Sequence, residues 1–157
     1  MASWRQVHAF SEPLAQEESH NDHIVTYRPM DPMPVLIWDR QEKRRRIVPM
    51  RWGFPHRSNP MRPDPIHVRS ETIDEKPTFS EAFREGQRGI VVMRTFNEGL
   101  ELPNGKTEQW TVDPGDGIPR GFAFLWRRYD VPSQPMALYA CVMVTVPASK
   151  TDRTDYR

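Results

Sequence analysis

Chemistry is most concentrated in Arg88 to Val112, which reads RGIVVMRTFNEGLELPNGKTEQWTV. Ile90 to Met93 is a short apolar run of the kind that builds a buried strand, and Phe96-Asn97-Glu98-Gly99 lies just past it. Leu100 to Leu102 and Thr107 to Val112 flank Pro103-Asn104-Gly105-Lys106, and Asn-Gly between strand-like runs is a strong hairpin signal. Glu98 is therefore expected where a strand turns into a hairpin, a place that presents a carboxylate to a cleft. There it could carry a proton as a general acid or base. The competing reading is a solvated turn glutamate.

A second group lies in Ile66-His67-Val68-Arg69-Ser70-Glu71-Thr72. Strand alternation puts Ile66 and Val68 on one face and His67 and Arg69 on the other. Arg69 and Glu71, two apart on a strand, would share a face, and a surface ion pair of that kind is worth under ~1 kcal/mol. His67 has no second histidine at metal-ligand spacing, so no metal and no cofactor is expected. Arg44-Arg45-Arg46 offers planar donor forks suited to phosphate, or simply a solvated hairpin tip. The single cysteine, Cys141, sits in Ala140-Cys141-Val142-Met143-Val144 and reads as a buried small hydrophobe. It excludes an intramolecular disulfide and a cysteine-pair metal site, and suits a reducing compartment. No Gly-x-Ser-x-Gly elbow or plausible Cys-His pairing supports a conventional hydrolase.

The elements that must position these groups are mostly strands. His23 to Tyr27, Pro34 to Trp38 and Ile47 to Phe54 suggest an antiparallel meander, with the charged run Asp39 to Arg46 as a turn. Pro55 to Pro65 reads as an irregular loop. Pro77 to Glu85 is the best helix, with a Thr78/Glu81 capping box, an apolar face of Phe79, Ala82 and Phe83, and Gly86 as its stop. Gly121 to Trp126 reads as a central strand and Leu138 to Val146 as the last strong one. Met1 to Asp22 shows no sustained period, as expected of a loosely ordered arm.

The chain of 157 residues suits a single domain over residues 1–157. Sixteen prolines and eight glycines favour many short segments over long helices. A net charge of +1 gives no global basic field, so any nucleic-acid binding must come from local clusters. The N-terminus lacks a signal peptide's apolar core and no run approaches transmembrane length. The expectation is a soluble cytoplasmic protein of α+β class, with a mainly antiparallel, barrel-like β core and one or two short helices.

Several pieces, taken in order, resemble the SOS response-associated peptidase (SRAP) domain proteins, whose members include abasic-site sensors. They are Arg51-Trp52-Gly53-Phe54, Val68-Arg69-Ser70-Glu71-Thr72, the Lys76-Pro77-Thr78-Phe79 to Phe83 helix and Ile90 to Met93. Phe96-Asn97-Glu98-Gly99, Phe122 to Trp126 and Val142 to Ala148 complete the series.

The resemblance implies recognition of an abasic site in single-stranded DNA during the response to DNA damage. It also implies trapping of the ring-opened aldehyde, as a thiazolidine, by a cysteine exposed when the initiator methionine is removed. A glutamate in the position of Glu98 assists, with an asparagine near the front and a histidine near the end. Arg69 and Trp52 match DNA-contacting or cleft-forming positions, and Glu71 helps shape the cleft. Departures accompany the matches. The family begins Met-Cys-Gly-Arg, whereas this chain begins Met1-Ala2-Ser3-Trp4, leaving no thiol for a thiazolidine. Arg28, between Tyr27 and Pro29, stands where the family has its front asparagine, and His67 begins what is otherwise an Asn-x-Arg motif. Asp155 stands for the terminal histidine. The expectation is a monomer that keeps the single-strand cleft but has lost covalent crosslinking. The alternative is a non-enzymatic protein-interaction module, for which Trp4, Trp38 and Trp110 could supply the surface. A general protease is not expected, since no extended leader precedes Ala2.

Overall fold

A computed structural model describes residues 24–56, 62–130 and 136–147. Its strands are β1 (Pro32–Asp39), β2 (Arg44–Trp52), β3 (His67–Arg69), β4 (Arg88–Met93), β5 (Phe96–Glu101), β6 (Thr107–Val112), β7 (Arg120–Tyr129) and β8 (Leu138–Thr145). One helix, α1 (Pro77–Arg84), and a 3-10 turn (Ser70–Thr72) complete the described elements. This is the expected α+β class with a barrel-like core.

The barrel runs β2-β1-β4-β7-β8 and closes where β2 returns to β8. All but two of the strand pairings are antiparallel; β2 and β3 both run parallel to β8. The core is thus mainly antiparallel, as expected, with parallel pairing only where β2 and β3 meet β8. Arg51 and Trp52 pair with Ala140 and Cys141, and His67 to Arg69 pair with Met143 to Thr145. The end of β2 and the short β3 thus lie end to end along one edge of β8. Between them β2 peels away at Gly53, whose φ of +125° is a conformation side chains rarely adopt. The Gly53 N–H still donates to Cys141, and Met143 N–H takes up Ile66 at the start of β3.

Apolar residues on both faces of β7 and β8 are buried, which accounts for their uninterrupted apolar sequences. Val35, Met50, Val91, Phe124 and Cys141 belong to a cluster that fills the barrel. Leu125, Ala140 and Val142 belong to another, formed with Phe54, Val68, Ile73 and Phe79. Phe79 brings α1 onto that second cluster. Burying such a side chain stabilises the fold by about 1.5–3 kcal/mol.

Local readings are corrected at four places. Residues 24–27 are not a strand, although Tyr27 packs against the barrel core. Arg44 to Arg46 belong to β2, because strand pairing continues to Asp39↔Arg44 and leaves only 40–43 for the turn. The Thr78/Glu81 capping box does not form: Lys76 is the N-cap without a side-chain cap, and Glu81 instead pairs with Arg127 of β7. Glu71 lies in the 3-10 turn and not on the strand with Arg69. The helix does stop at Gly86, through N–H bonds from Gly86 to Phe83 and from Gln87 to Ala82. That pairing is a Schellman motif.

Candidate functional site

In the three-residue β3 Val68 is buried, and His67 and Arg69 on either side face out. Their side chains open onto a groove of about 560 Å³, which Glu71, Lys76 and Glu98 also line and the end of β8 closes. The groove therefore gathers groups from the β3–α1 region and from the β5–β6 hairpin.

Glu98 lies past the end of β4, as the third residue of β5. β5 and β6 form a separate two-stranded ribbon, with Glu98 paired opposite Trp110. A turn over Leu102 to Gly105 links them, with Gly105 N–H donating to Leu102 and Leu102 N–H to Lys106. Phe96 docks the ribbon on the barrel by packing edge-on to Phe122, with ring centres 5.5 Å apart. Side chains alternate along the strand, so Phe96 and Glu98 share the face turned to the barrel. That places the carboxylate at the groove.

Trp52 buttresses the groove from behind. Its indole N–H donates to the Ile66 carbonyl at 3.1 Å, and its ring lies edge-on to His67 with centres 6.2 Å apart. The walls desolvate the His67 ring, which lowers its pKa below the ordinary histidine value; the Glu98 carboxylate acts in the opposite sense. Glu71 is held below the usual carboxylate range by its own backbone N–H, by the Ser70 hydroxyl at 2.9 Å and by the charge of Arg69. Two carboxylates and three basic side chains thus meet around one recess.

His67, Arg69, Glu71 and Glu98 are brought together from the residues singled out in the sequence. Trp52 stands behind them. Arg28 is exposed in the turn at 28–31, where its N–H donates to Asp31, and it does not line the groove. Ala2 and Asp155 lie outside the described residues, as does Trp4. Lys76 was missed. Its signal is Pro77, which marks the first position of a helix and leaves Lys76 as the N-cap. Cys141 is fully buried in the barrel, and burial pushes its thiol up to about 12. It is not a competent nucleophile in the folded protein. Among the described residues no three His, Cys, Asp or Glu gather in a way that could hold a metal ion. No described helix is long and apolar enough to cross a membrane.

The order of the motifs around this groove is matched at the level of the whole chain: residues 2–154 fit the family model described as SOS response associated peptidase (SRAP). The chain belongs to the SRAP family. Solved structures similar to this SRAP protein include a protein from Bordetella bronchiseptica, 26% identical with a TM-score of 0.57, matching 74% of this chain and 57% of its own. A protein from Bacteroides thetaiotaomicron is 16% identical with a TM-score of 0.57, matching 82% of this chain and 57% of its own. A phage-related protein from Bordetella bronchiseptica is 18% identical with a TM-score of 0.55, matching 80% and 60% respectively. This SRAP chain thus spans less than two thirds of the length of the solved relatives it matches. Among curated proteins nothing matches it.

Proposed function

We propose that this SRAP protein binds single-stranded DNA, including strands carrying an abasic site, through the groove at His67, Arg69, Lys76 and Glu98. The observation that carries the reading is that an arginine, a lysine and a partly desolvated histidine line the same recess as Glu98. Arg69 and Lys76 suit phosphates, which need donors but carry no sequence information. Glu98 suits proton transfer to or from a sugar aldehyde or an attacking amine. Trp52 and Glu71 hold the shape of the groove. In this reading the chain is a single-domain, cytoplasmic monomer acting in the SOS response.

The same proposal holds that thiazolidine crosslinking is lost, since Ala2 offers no thiol and Cys141 is buried. After removal of Met1, the Ala2 α-amine would still be a nucleophile able to form a reversible Schiff base. Absence of any borohydride-reducible adduct would exclude that remnant.

The test is a single-stranded oligonucleotide with one abasic site, run beside an intact control on native and denaturing gels. Wild type is expected to shift both strands on the native gel at low salt, and Ala2→Cys to add a band that survives denaturation. No shift by either protein overturns the DNA reading. A protein-interaction role is the second reading, favoured by the exposure of Trp38 (56%) and Trp110 (42%). Salt separates them, because phosphate contacts release counterions and weaken steeply as salt rises.

A further inference from the structure

Next to Glu98 of the groove stands an aromatic side chain that the proposed function does not use. Trp110 stands directly opposite Glu98 in the β5–β6 ladder, and directly opposed residues project from the same face. On that face Phe96 and Val112 are an opposed pair at the barrel end, followed by Glu98 and Trp110, then Leu100 and Glu108. Phe96 is spent on docking the ribbon against Phe122. Trp110 and Leu100 remain 42% and 48% exposed next to a carboxylate that lines the groove. An indole this open, kept on the barrel-facing side of the ribbon, is unneeded for the core: it belongs to neither buried cluster.

Both signs of charge line the groove, with Glu71 next to Arg69 and Glu98 acting on His67. Arg69 and Lys76 attract phosphate, whereas Glu98 repels it and is followed across the ladder by Trp110. A strand held at its phosphates by Arg69 and Lys76 would turn its bases toward the ribbon. We infer that Trp110 is a stacking platform for an unpaired nucleobase of the strand held by Arg69 and Lys76, with Leu100 extending the apolar surface. This rests on the single-strand reading of the groove. Stacking on an aromatic ring tolerates any base because every base has a π-face. The platform therefore adds affinity for single strands without adding sequence preference.

The experiment measures anisotropy of a labelled oligodeoxythymidylate, and of an equally long backbone of tetrahydrofuran abasic spacers, with the full chain. Trp110→Ala is expected to weaken binding to the thymidylate roughly ten-fold. On the spacer backbone, which offers no base, its penalty should vanish, and Trp110→Phe should keep most of the affinity for both. Trp38→Ala, which removes the other exposed indole among the described residues, should leave both unchanged. Equal affinity of wild type and Trp110→Ala for the thymidylate overturns the platform, and so does an equal loss on both ligands, which marks a merely structural role. Failure of wild type to bind either ligand at low salt is a different result: it overturns the single-strand reading itself.

Discussion

The Trp52 and His67 rings lie edge-on with centres 6.2 Å apart, and the same indole holds the Ile66 carbonyl that leads into β3. A residue at the end of one barrel strand therefore fixes the orientation of a groove residue across the gap where β2 and β3 lie end to end on β8. His67 is desolvated there, so its neutral form is favoured in the folded protein.

The unfolded chain protonates His67 near 6.5, before the folded chain does. This residue's effect on stability is thus absent above that pH, grows as a loss while pH falls toward the lowered folded value, and is complete below it. In the proposed function, a bound phosphate would reward protonation, so affinity for single strands should rise several-fold from pH 8 to pH 5.5. His67→Asn should flatten both profiles, measured by thermal melting and by anisotropy; an unchanged binding profile in that variant removes His67 from the contact.

Arg51 and Asp64 tie the loop after β2 to the barrel. The guanidinium reaches the carboxylate at 2.6 Å and also donates to the Gly53 carbonyl at 2.8 Å, while His56 N–H donates to Asp64 at 2.8 Å. Burial alone would raise the Asp64 pKa, but the Arg51 and His56 bonds together outweigh it and lower it. Its stabilisation should be full above 3.8 and disappear as pH falls through the lower folded value. Asp64→Ala should cost about 1.5–3 kcal/mol at neutral pH by urea unfolding. A variant as stable as wild type would show the tie to be incidental.

Gly86 ends α1 at φ +68°, where a side chain is strained by about 1–2 kcal/mol. A Cβ there would also meet the Arg40 guanidinium at 2.7 Å, the flexible group that donates to the Glu85 carbonyl. Gly86→Ala should therefore lower stability by at least that strain, whereas Gly86→Asn should recover part of it. Equal stability of the alanine variant would contradict the Schellman termination.

Cys141 should be silent to thiol reagents in the native protein. With the thiol buried and its pKa raised to about 12, labelling at pH 8 should be slow until urea unfolds the barrel. Rapid native labelling would mean that the barrel opens far more readily than its packing implies.

Much of this protein was legible in its residues. Val35 to Ile37, Val91 to Met93 and Leu125 are apolar enough to specify buried strands wherever they lie, and Pro77 with Gly86 punctuates a helix locally. Leu102 to Lys106 likewise turns a hairpin from its own chemistry. Glu98, Arg69, Glu71 and His67 stood out by residue type, and the order of motifs pointed to the family. What local pattern did not contain was anything settled by distant partners. Glu81 gives up its capping box for Arg127, and Arg44 to Arg46 extend β2 because β1 offers matching backbone. Barrel closure makes β2 and β3 parallel to β8, a pairing between residues about 75 to 90 positions apart that no short-range signal encodes. Only that closure, with Phe96 seated on Phe122, carries Glu98 to the groove that Lys76 also lines, with Trp110 opposite Glu98 in the ribbon. Residue type decides what chemistry is available; long-range strand pairing decides which groups share a recess.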